Sequence, residues 1–158
     1  MTRILRRFSN AARAVHSPAD LLLVVRMLGW AVVLPVLKAR MPLERLVALM
    51  WVDGPGRRSE RSPVRERQVV RLAELSHRAI SAGHRDNCLE RSLIAYRHLA
   101  ALDAAPLLVI GARPGDAGVE GHVWVLVDGE PVHDLPEEIA TYEALTVFGA
   151  GGRPRPVG

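Results

Sequence analysis

The spacing of apolar residues divides the chain into two parts, with helical spacing before residue 101 and strand spacing after it. The most apolar run, residues 21–37, predicts a long helix, and residues 42–51 and 68–82 predict two more. One stripe of the long helix consists of Leu21, Leu22, Val25, Leu28, Val32 and Val33. A fourth helix is expected to begin where Asp86 or Asn87 can cap it. Its apolar positions are Leu89, Leu93, Tyr96 and Ala100.

The second part of the chain predicts a small sheet. Residues 107–111 form a short apolar run that is typical of a buried strand, and residues 121–127 are rich in β-branched and aromatic side chains. The pair Asp128-Gly129 is typical of a hairpin turn, so residues 132–134 are expected to begin the return strand. The pattern therefore predicts an α+β fold, in which a helix packs on a small antiparallel sheet after a helical N-terminal region.

Turn residues and charge runs suggest how the chain is organised. Residues 113–120 are Gly-rich and predict a flexible flap, and residues 136–145 predict a last short helix. A run with Asp-Gly-Pro-Gly, many arginines and Ser-Pro predicts a solvated linker. The predicted organisation is a helical N-terminal region over 1–51, a basic linker over 52–67, a core over 68–149 and a flexible tail over 150–158.

Composition limits the class of protein. The chain has 158 residues, of which 49% are hydrophobic, so a single domain with a real core can form. Its one cysteine excludes an intrachain disulfide, which fits a cytoplasmic protein. The net charge is +4, and Lys38 is the only lysine. Because no aromatic residue interleaves with the arginines of residues 57–67, we expect no nucleic-acid surface.

The apolar run 21–37 raises the question of a membrane. About 17 residues is at the short limit for a span, and the run contains Arg26 and Pro35. The segment before it is too long for a signal peptide, and Lys38 follows where a small-residue cleavage site would be needed. We therefore expect a buried or partner-facing helix, with peripheral membrane contact as the alternative.

The single cysteine, Cys88, falls in the first turn of the fourth predicted helix. Unpaired backbone N–H groups and the positive end of the helix dipole favour an anion there. Such a site lowers the pKa of a thiol from about 8.5 toward neutrality. Cys88 is therefore a candidate nucleophile, although a lone cysteine in a helix is commonly a small buried hydrophobe.

A nucleophilic thiol needs a base and a group that orients the base. His122 opens a strand that can pack against the cysteine helix, while His84, close to Cys88 in sequence, is the strongest rival. Asp134 is the expected orienting carboxylate, and Asp128 is its rival in the turn. A two-residue turn would send Asp134 to the sheet face opposite His122, so we expect a three-residue loop or a bulge.

Several neighbouring residues are candidates for support. Trp124 shares a face with His122 by strand alternation and is expected either to pack in the core or to wall the imidazole. The backbone N–H of Cys88 is an expected oxyanion donor, and the Asn87 side chain is a second candidate. Glu90 and Arg91 are expected to form a surface pair or to anchor the helix. With one cysteine and scattered histidines, no metal site or cofactor is expected.

The order of a cysteine on a helix start, a histidine on one strand and an aspartate on the next resembles papain/transglutaminase-like cysteine enzymes. The run Cys-Leu-x-Arg-Ser-Leu from Cys88, an Ile-Gly-x-Arg segment and the His-x-Trp-Val hairpin resemble the lasso-peptide leader peptidases of the transglutaminase-like superfamily, the protease half of the split B protein. The likeness is strongest over residues 85–134. It implies a Cys88-His122-Asp134 triad and makes Arg91 worth testing.

The resemblance also implies a substrate and partners. The substrate would be the leader of a ribosomally made precursor, presented by a separate leader-binding protein, and a macrolactam synthetase would act on the freed core. The N-terminal helices are a possible docking surface for the leader-binding protein. Two alternatives remain from the residues alone, namely an amide-forming acyltransferase of the same fold and a non-catalytic peptide-binding module.

Overall fold

The computed structural model describes residues 17–56, 61–80, 87–116 and 118–155. Within these ranges, four helices precede a small antiparallel sheet, and the predicted α+β class is confirmed. The helices are α1 (Pro18–Lys38), α2 (Leu43–Met50), α3 (Pro63–Ile80), α4 (Cys88–Ala100) and the short α5 (Pro136–Ile139). The strands are β1 (Leu107–Gly115), β2 (Gly118–Val127), β3 (Glu130–Pro131), β4 (Glu143–Phe148) and β5 (Pro154–Arg155).

Helix α4 lies at the centre of the hydrophobic core. Leu93, Ile94, Tyr96 and Leu99 are all completely buried along it. They pack among side chains of α1, α2 and α3 on one side and against Val123 and Val125 of β2 on the other. The Tyr96 hydroxyl donates a hydrogen bond to the carbonyl of Gly149, which ties the helix to the end of β4. This packing holds the N-terminus of α4 at the edge of the sheet.

The strands lie in the order β3-β2-β1-β4-β5. Strands β1 and β2 pair along their whole length, from Leu107 opposite Leu126 to Gly115 opposite Gly118. The Gly-rich stretch 113–120 is therefore not a flap, and that prediction is wrong. The ladder continues through it, and Arg113 forms an ion pair with Glu120 opposite it, at 2.9 Å.

The apolar stripe of α1 does not face the core. Met27, Ala31 and Leu34 make its buried contacts, whereas five of the six predicted stripe residues are exposed and Leu28 is half-buried. The exposed large side chains of the helix are Leu21, Leu22, Val25, Val32, Val33 and Val36. By length and composition α1 is apolar enough to cross a membrane, with a mean hydropathy of 2.0. Of the two predicted alternatives, a buried stripe is therefore wrong, whereas a partner-facing helix stays a prediction.

The predicted boundaries of the linker and of the last helix also need correction. Residues 63–67 belong to α3. Two ion pairs fix this first turn of the helix: the buried Glu66 pairs with Arg61 at 2.9 Å, and Arg65 pairs with Asp20 of α1 at 2.5 Å. The predicted solvated linker is therefore wrong at Arg61 and Arg65, because both side chains pair with buried carboxylates. The predicted helix over 136–145 ends at Ile139, and the chain then enters β4.

The predicted flexible tail is ordered over residues 150–155. Arg155 pairs with Val147 in the sheet, and residues Ala150–Gly152 form a short 3-10 turn. Gly152 has a φ of 65°, and a Cβ there would meet the Cα of Ala48 at 2.4 Å, so only glycine allows the backbone to lie against α2. Hydrophobic periodicity does not report such backbone packing. Residues 156–158 lie outside the described residues.

Candidate active site

Cys88 is the first residue of α4, as the pattern predicted, and its side chain is half-buried. Asn87 occupies the cap position, where its carbonyl accepts a hydrogen bond from the Arg91 N–H at 3.2 Å, but its side chain makes no capping bond. Asp86, the other predicted cap, lies outside the described residues. The Cys88 N–H belongs to the first turn, whose donors have no acceptor within the helix.

His122 reaches this thiol from β2. Its imidazole is stacked against Trp124, with ring centroids 6.0 Å apart and an angle of 19°, and lies 5.1 Å from the ring of Tyr142. Trp124 is 4% exposed, so it both packs in the interior and walls the imidazole. Gly111 makes this possible, because a Cβ there would lie 2.6 Å from the Trp124 ring. Tyr142 was not foreseen, since nothing in its local sequence connects it with His122.

Asp134 lies beside the imidazole, with its Oδ1 at 3.2 Å from Nε2 of His122. The expected three-residue loop or bulge is absent, and that prediction is wrong. Val127 pairs directly with Glu130 across a two-residue turn. The strand then ends at Pro131, so the face-alternation argument no longer applies at Asp134. After one more hydrogen bond, from the Val132 N–H to the Val125 carbonyl, the chain bends away and brings Asp134 to His122.

Arg91 holds the same carboxylate from α4. Its Nη2 lies 2.7 Å from Oδ1 and 3.0 Å from Oδ2 of Asp134. Its Nη1 lies 3.9 Å from the carboxylate of Glu74 on α3. Glu90 is 2% exposed and pairs with Lys38 of α1 at 2.5 Å. The prediction of a Glu90–Arg91 surface pair is therefore wrong, because the two side chains anchor α4 in different directions.

The three side chains shift one another's proton affinities. Burial raises the pKa of the Cys88 thiol, but a hydrogen bond with His122, a hydrogen bond from the Val123 backbone and the positive charges of His122 and Arg91 bring it below its usual range. Hydrogen bonds with Asp134 and with Cys88 raise the pKa of His122 to about 9, against the opposing effect of burial. These opposite shifts favour a thiolate–imidazolium pair over the neutral thiol and imidazole.

Asp134 remains a carboxylate. Burial raises its pKa, but the hydrogen bond with His122 and the charge and hydrogen bonds of Arg91 lower it overall. Since Nε2 of His122 faces this carboxylate, Nδ1 is the ring nitrogen left for the thiol. The arrangement is that of a nucleophile, a base and an orienting carboxylate in series.

His84, the strongest rival base, and His16 lie outside the described residues, so the structure does not test them. Burial lowers the pKa of His133 and of His98 to about 4, and it also lowers that of His77. Asp128 is in the turn, at 3.0 Å from Arg61. Within the described ranges, no cluster of three or more His, Cys, Asp or Glu side chains could hold a metal ion.

The thiol and the imidazole open into a groove of about 740 Å³. This volume lies within the range of about 300–1,000 Å³ that is typical of ligand-binding clefts. It is lined by Glu74, His77, Arg78, Asn87, Cys88, Arg91, Glu120, Gly121, His122, Asp134 and Tyr142.

Comparison with known proteins gives one match. Residues 19–147 match the family model described as the transglutaminase-like superfamily. No curated protein and no solved structure matches the chain. The match extends from α1 to β4 and so includes every residue that lines the groove.

Proposed function

The chain belongs to the transglutaminase-like superfamily, and we propose that it is a cysteine peptidase that removes the leader from a ribosomally made lasso-peptide precursor. The observation that supports peptidase chemistry is the pairing of a thiol with a lowered pKa and an imidazole with a pKa of about 9, both facing one open groove. Asp134 completes the series at 3.2 Å from the imidazole.

The first step forms an acyl-enzyme. The Cys88 thiolate attacks the carbonyl carbon at the leader–core junction, and the carbonyl oxygen takes up the negative charge near the Cys88 N–H. The imidazolium of His122 gives the Nδ1 proton to the leaving nitrogen. The C–N bond breaks, the core departs with a free amine and the leader stays on the sulfur as a thioester.

The second step releases the leader. His122 takes a proton from water, whose oxygen attacks the thioester carbon. The C–S bond breaks and the sulfur leaves as a thiolate, while His122 keeps the proton taken from water, so that the ion pair is restored. The leader departs as a carboxylic acid, which loses its own proton to solvent. Throughout, Asp134 accepts the Nε2–H hydrogen bond and stabilises the imidazolium, while Arg91 positions Asp134 through its two contacts. Asn87 lines the groove and is the proposed second oxyanion donor.

The lasso-peptide substrate rests on the resemblance of three segments, namely the run from Cys88, the Ile-Gly-x-Arg segment and the His-x-Trp-Val hairpin. The run from Cys88 and the hairpin each contribute residues to the groove, and the second segment lies on β1, where Gly111 pairs with His122 of β2. The same resemblance underlies the proposed partners, a separate leader-binding protein and a macrolactam synthetase. We propose that the reaction is cytoplasmic, since a reactive thiol is maintained in a reducing compartment.

The decisive experiment mixes the precursor with its leader-binding protein and either the wild-type chain or Cys88→Ala. We expect the variant to lose cleavage completely, because no other thiol exists, and to keep the wild-type circular dichroism spectrum. Val64→Ala, at an exposed position of α3, is the matched control and should cleave normally. Cleavage that persists in Cys88→Ala would refute the mechanism.

Product masses separate the proposal from its two alternatives. Hydrolysis gives a leader with a free carboxylate, whereas an acyltransferase gives a leader joined to an amine. A binding module gives neither product, and its Cys88 would react with iodoacetamide at neutral pH no faster than an ordinary thiol with a pKa of about 8.5.

The leader-binding protein is proposed to dock on the exposed apolar face of α1. Six large aliphatic side chains, each 43–59% exposed, line this face while the opposite face packs in the core. Val25→Asp should weaken binding of that protein at least tenfold, whereas Val64→Asp, on an exposed valine of α3, should not. Protein docking at this face would be contradicted if Val25→Asp bound the leader-binding protein as tightly as the wild-type chain does. It would also be contradicted if the wild-type chain bound anionic vesicles and Val25→Asp abolished that binding.

A further inference from the structure

Among the residues that the structure describes, no strand pairs with the N-terminal part of the outer edge of β2, away from β1 and beside the proposed nucleophile. In an antiparallel ladder, alternate residues direct their N–H and C=O groups to opposite edges of the strand. The odd-numbered residues of β2 point outward, because the Val125 carbonyl accepts from the Val132 N–H and the Val123 carbonyl accepts from the Ser92 hydroxyl. The pairing of Val119 with Pro114, which has no N–H to offer, fits the same alternation.

The neighbours of this edge change along the strand. Strand β3 pairs with β2 at Val127, and Val132 covers the edge at Val125. Helix α4 covers Val123, since Ser92 binds its carbonyl at 2.9 Å and the Cys88 sulfur receives its N–H. At Gly121 and Val119, by contrast, no described strand or helix covers the edge, and Val119 is 82% exposed. Unpaired strand edges are normally protected in natural proteins.

The Cys88 sulfur lies in line with this open edge. Outward-facing residues are spaced about 6.6–6.8 Å apart along a strand. The sulfur therefore occupies the position along the edge that follows Gly121. A peptide that hydrogen-bonded to the open positions would run directly into the thiolate. Gly121 also lines the groove that contains Cys88 and His122.

We propose that the peptide substrate binds in an extended conformation as an additional strand on the outer edge of β2, paired with the backbone of Val119 and Gly121, so that its scissile carbonyl meets the Cys88 sulfur. This inference rests on the proposed peptidase function and adds how that site holds its substrate. Main-chain hydrogen bonds supply the affinity in this mode, and side-chain pockets add specificity. The site thus selects extended peptide over folded chain.

The test compares two reagents at Cys88. One is a trans-epoxysuccinate that carries Ala-Ala on each carboxyl group, so that extended peptide lies on both sides of the reacting carbon. The sulfur opens the epoxide, forming a C–S bond and breaking a C–O bond, and the alkoxide takes a proton from His122. The other reagent is iodoacetamide, which is too small to pair with the strand. Second-order labelling rates are measured by mass spectrometry.

Removing a hydrogen-bond donor from either partner should slow only the peptide reagent. We expect Val119→Pro to lower its rate about fivefold or more, in line with one lost hydrogen bond, and to change the iodoacetamide rate less than twofold. Proline is tolerated on a strand edge whose N–H is not used in the sheet. Val119→Ala keeps the N–H and is the matched control, with both rates at wild-type values.

A second arm leaves the protein unchanged. The same epoxysuccinate with N-methylated alanine amides should label Cys88 of the wild-type chain at least about fivefold more slowly than the unmethylated reagent. If Val119→Pro does not fold, this comparison alone tests strand addition. Equal rates for the two epoxysuccinates, with normal iodoacetamide labelling, overturn strand addition and leave the peptidase proposal intact. Failure of both reagents to label Cys88 overturns the peptidase proposal itself, and this inference with it.

Discussion

Two neighbouring regions of the molecule each place a histidine beside a carboxylate, with opposite results. In the groove, His122 lies 3.2 Å from Asp134 and its pKa is raised to about 9. In the polar pocket behind it, defined by His133, Glu74 and Arg91, Nδ1 of His133 lies 3.4 Å from Glu74 and its pKa is lowered to about 4. A nearby carboxylate alone therefore does not determine the charge of a histidine.

Burial accounts for the first part of the difference. The His133 side chain is 2% exposed, whereas that of His122 is 22% exposed. Within the described residues, Nε2 of His133 has no hydrogen-bond partner, so protonation would bury an unsatisfied N–H. The ring nitrogens of His122 face a carboxylate on one side and a thiol on the other. Its positive charge is thus compensated on both sides.

The second cause of the difference between the two histidines is the division of charge around Arg91. Its guanidinium binds Asp134 at 2.7 Å and lies 3.9 Å from Glu74, which also pairs with Arg78 at 2.6 Å. The charge of Glu74 is thus shared by two arginines, and that of Arg91 lowers the pKa of His133 further. Arg91 links the two regions, because it orients the carboxylate of one and helps to keep the histidine of the other neutral.

Removing that link should have the largest effect. We expect Arg91→Met to lower kcat/KM about 10- to 100-fold, since misplacing an orienting group costs this much. Arg91 also lowers the pKa of the Cys88 thiol, so its loss should raise that pKa. The acid limb of the pH profile, where the thiolate forms, would then move to higher pH. The measurement is precursor cleavage as a function of pH.

The matched control for this variant is Arg71→Met, which removes one exposed arginine from α3. It should leave both kcat/KM and the acid limb as in the wild-type chain. A lower rate in Arg91→Met without movement of the acid limb would mean that Arg91 only supports the fold. In the wild-type chain the alkaline limb should fall near pH 9, where His122 loses its proton.

Changes confined to the polar pocket should have a smaller effect, on stability rather than on rate. The pKa of His133 is lowered to about 4 in the folded chain. As the pH falls from 6.5 toward 4, the imidazole of His133 is therefore protonated in the unfolded chain but not in the folded chain. The neutral imidazole contributes up to about 3 kcal/mol to the free energy of unfolding above pH 6.5, and this contribution is lost between pH 6.5 and 4.

His133→Leu should therefore flatten the acid dependence of stability, measured by urea unfolding at several pH values, and change kcat/KM less than about threefold. His122 acts with the opposite sign, since its raised pKa stabilises the fold below pH 6.5 and the effect is lost as the pH rises through about 9. An equal acid dependence in the wild-type chain and in His133→Leu would contradict the neutral state of His133.

Much of the fold follows from local patterns. The start of α4 at Cys88, the β2 strand and the position of the Asp128-Gly129 turn agree with the prediction, because helical periodicity, strand propensity and turn chemistry act over a few residues. The length of that turn and the absence of a side-chain cap at Asn87 do not. The same local rules failed at the exposed stripe of α1 and in the tail. In both places the result depends on which surface a distant element covers.

The sequence by itself determined the two-part α+β organisation and which residues bear the candidate chemistry, because periodicity and residue type are local properties. Only the tertiary structure decided that the return strand ends at Pro131, that Asp134 then meets His122, and that Arg91 crosses from α4 to hold it. These outcomes depend on packing between elements far apart in the chain. The charge of each histidine depends on the same packing, through burial and the partners that it provides.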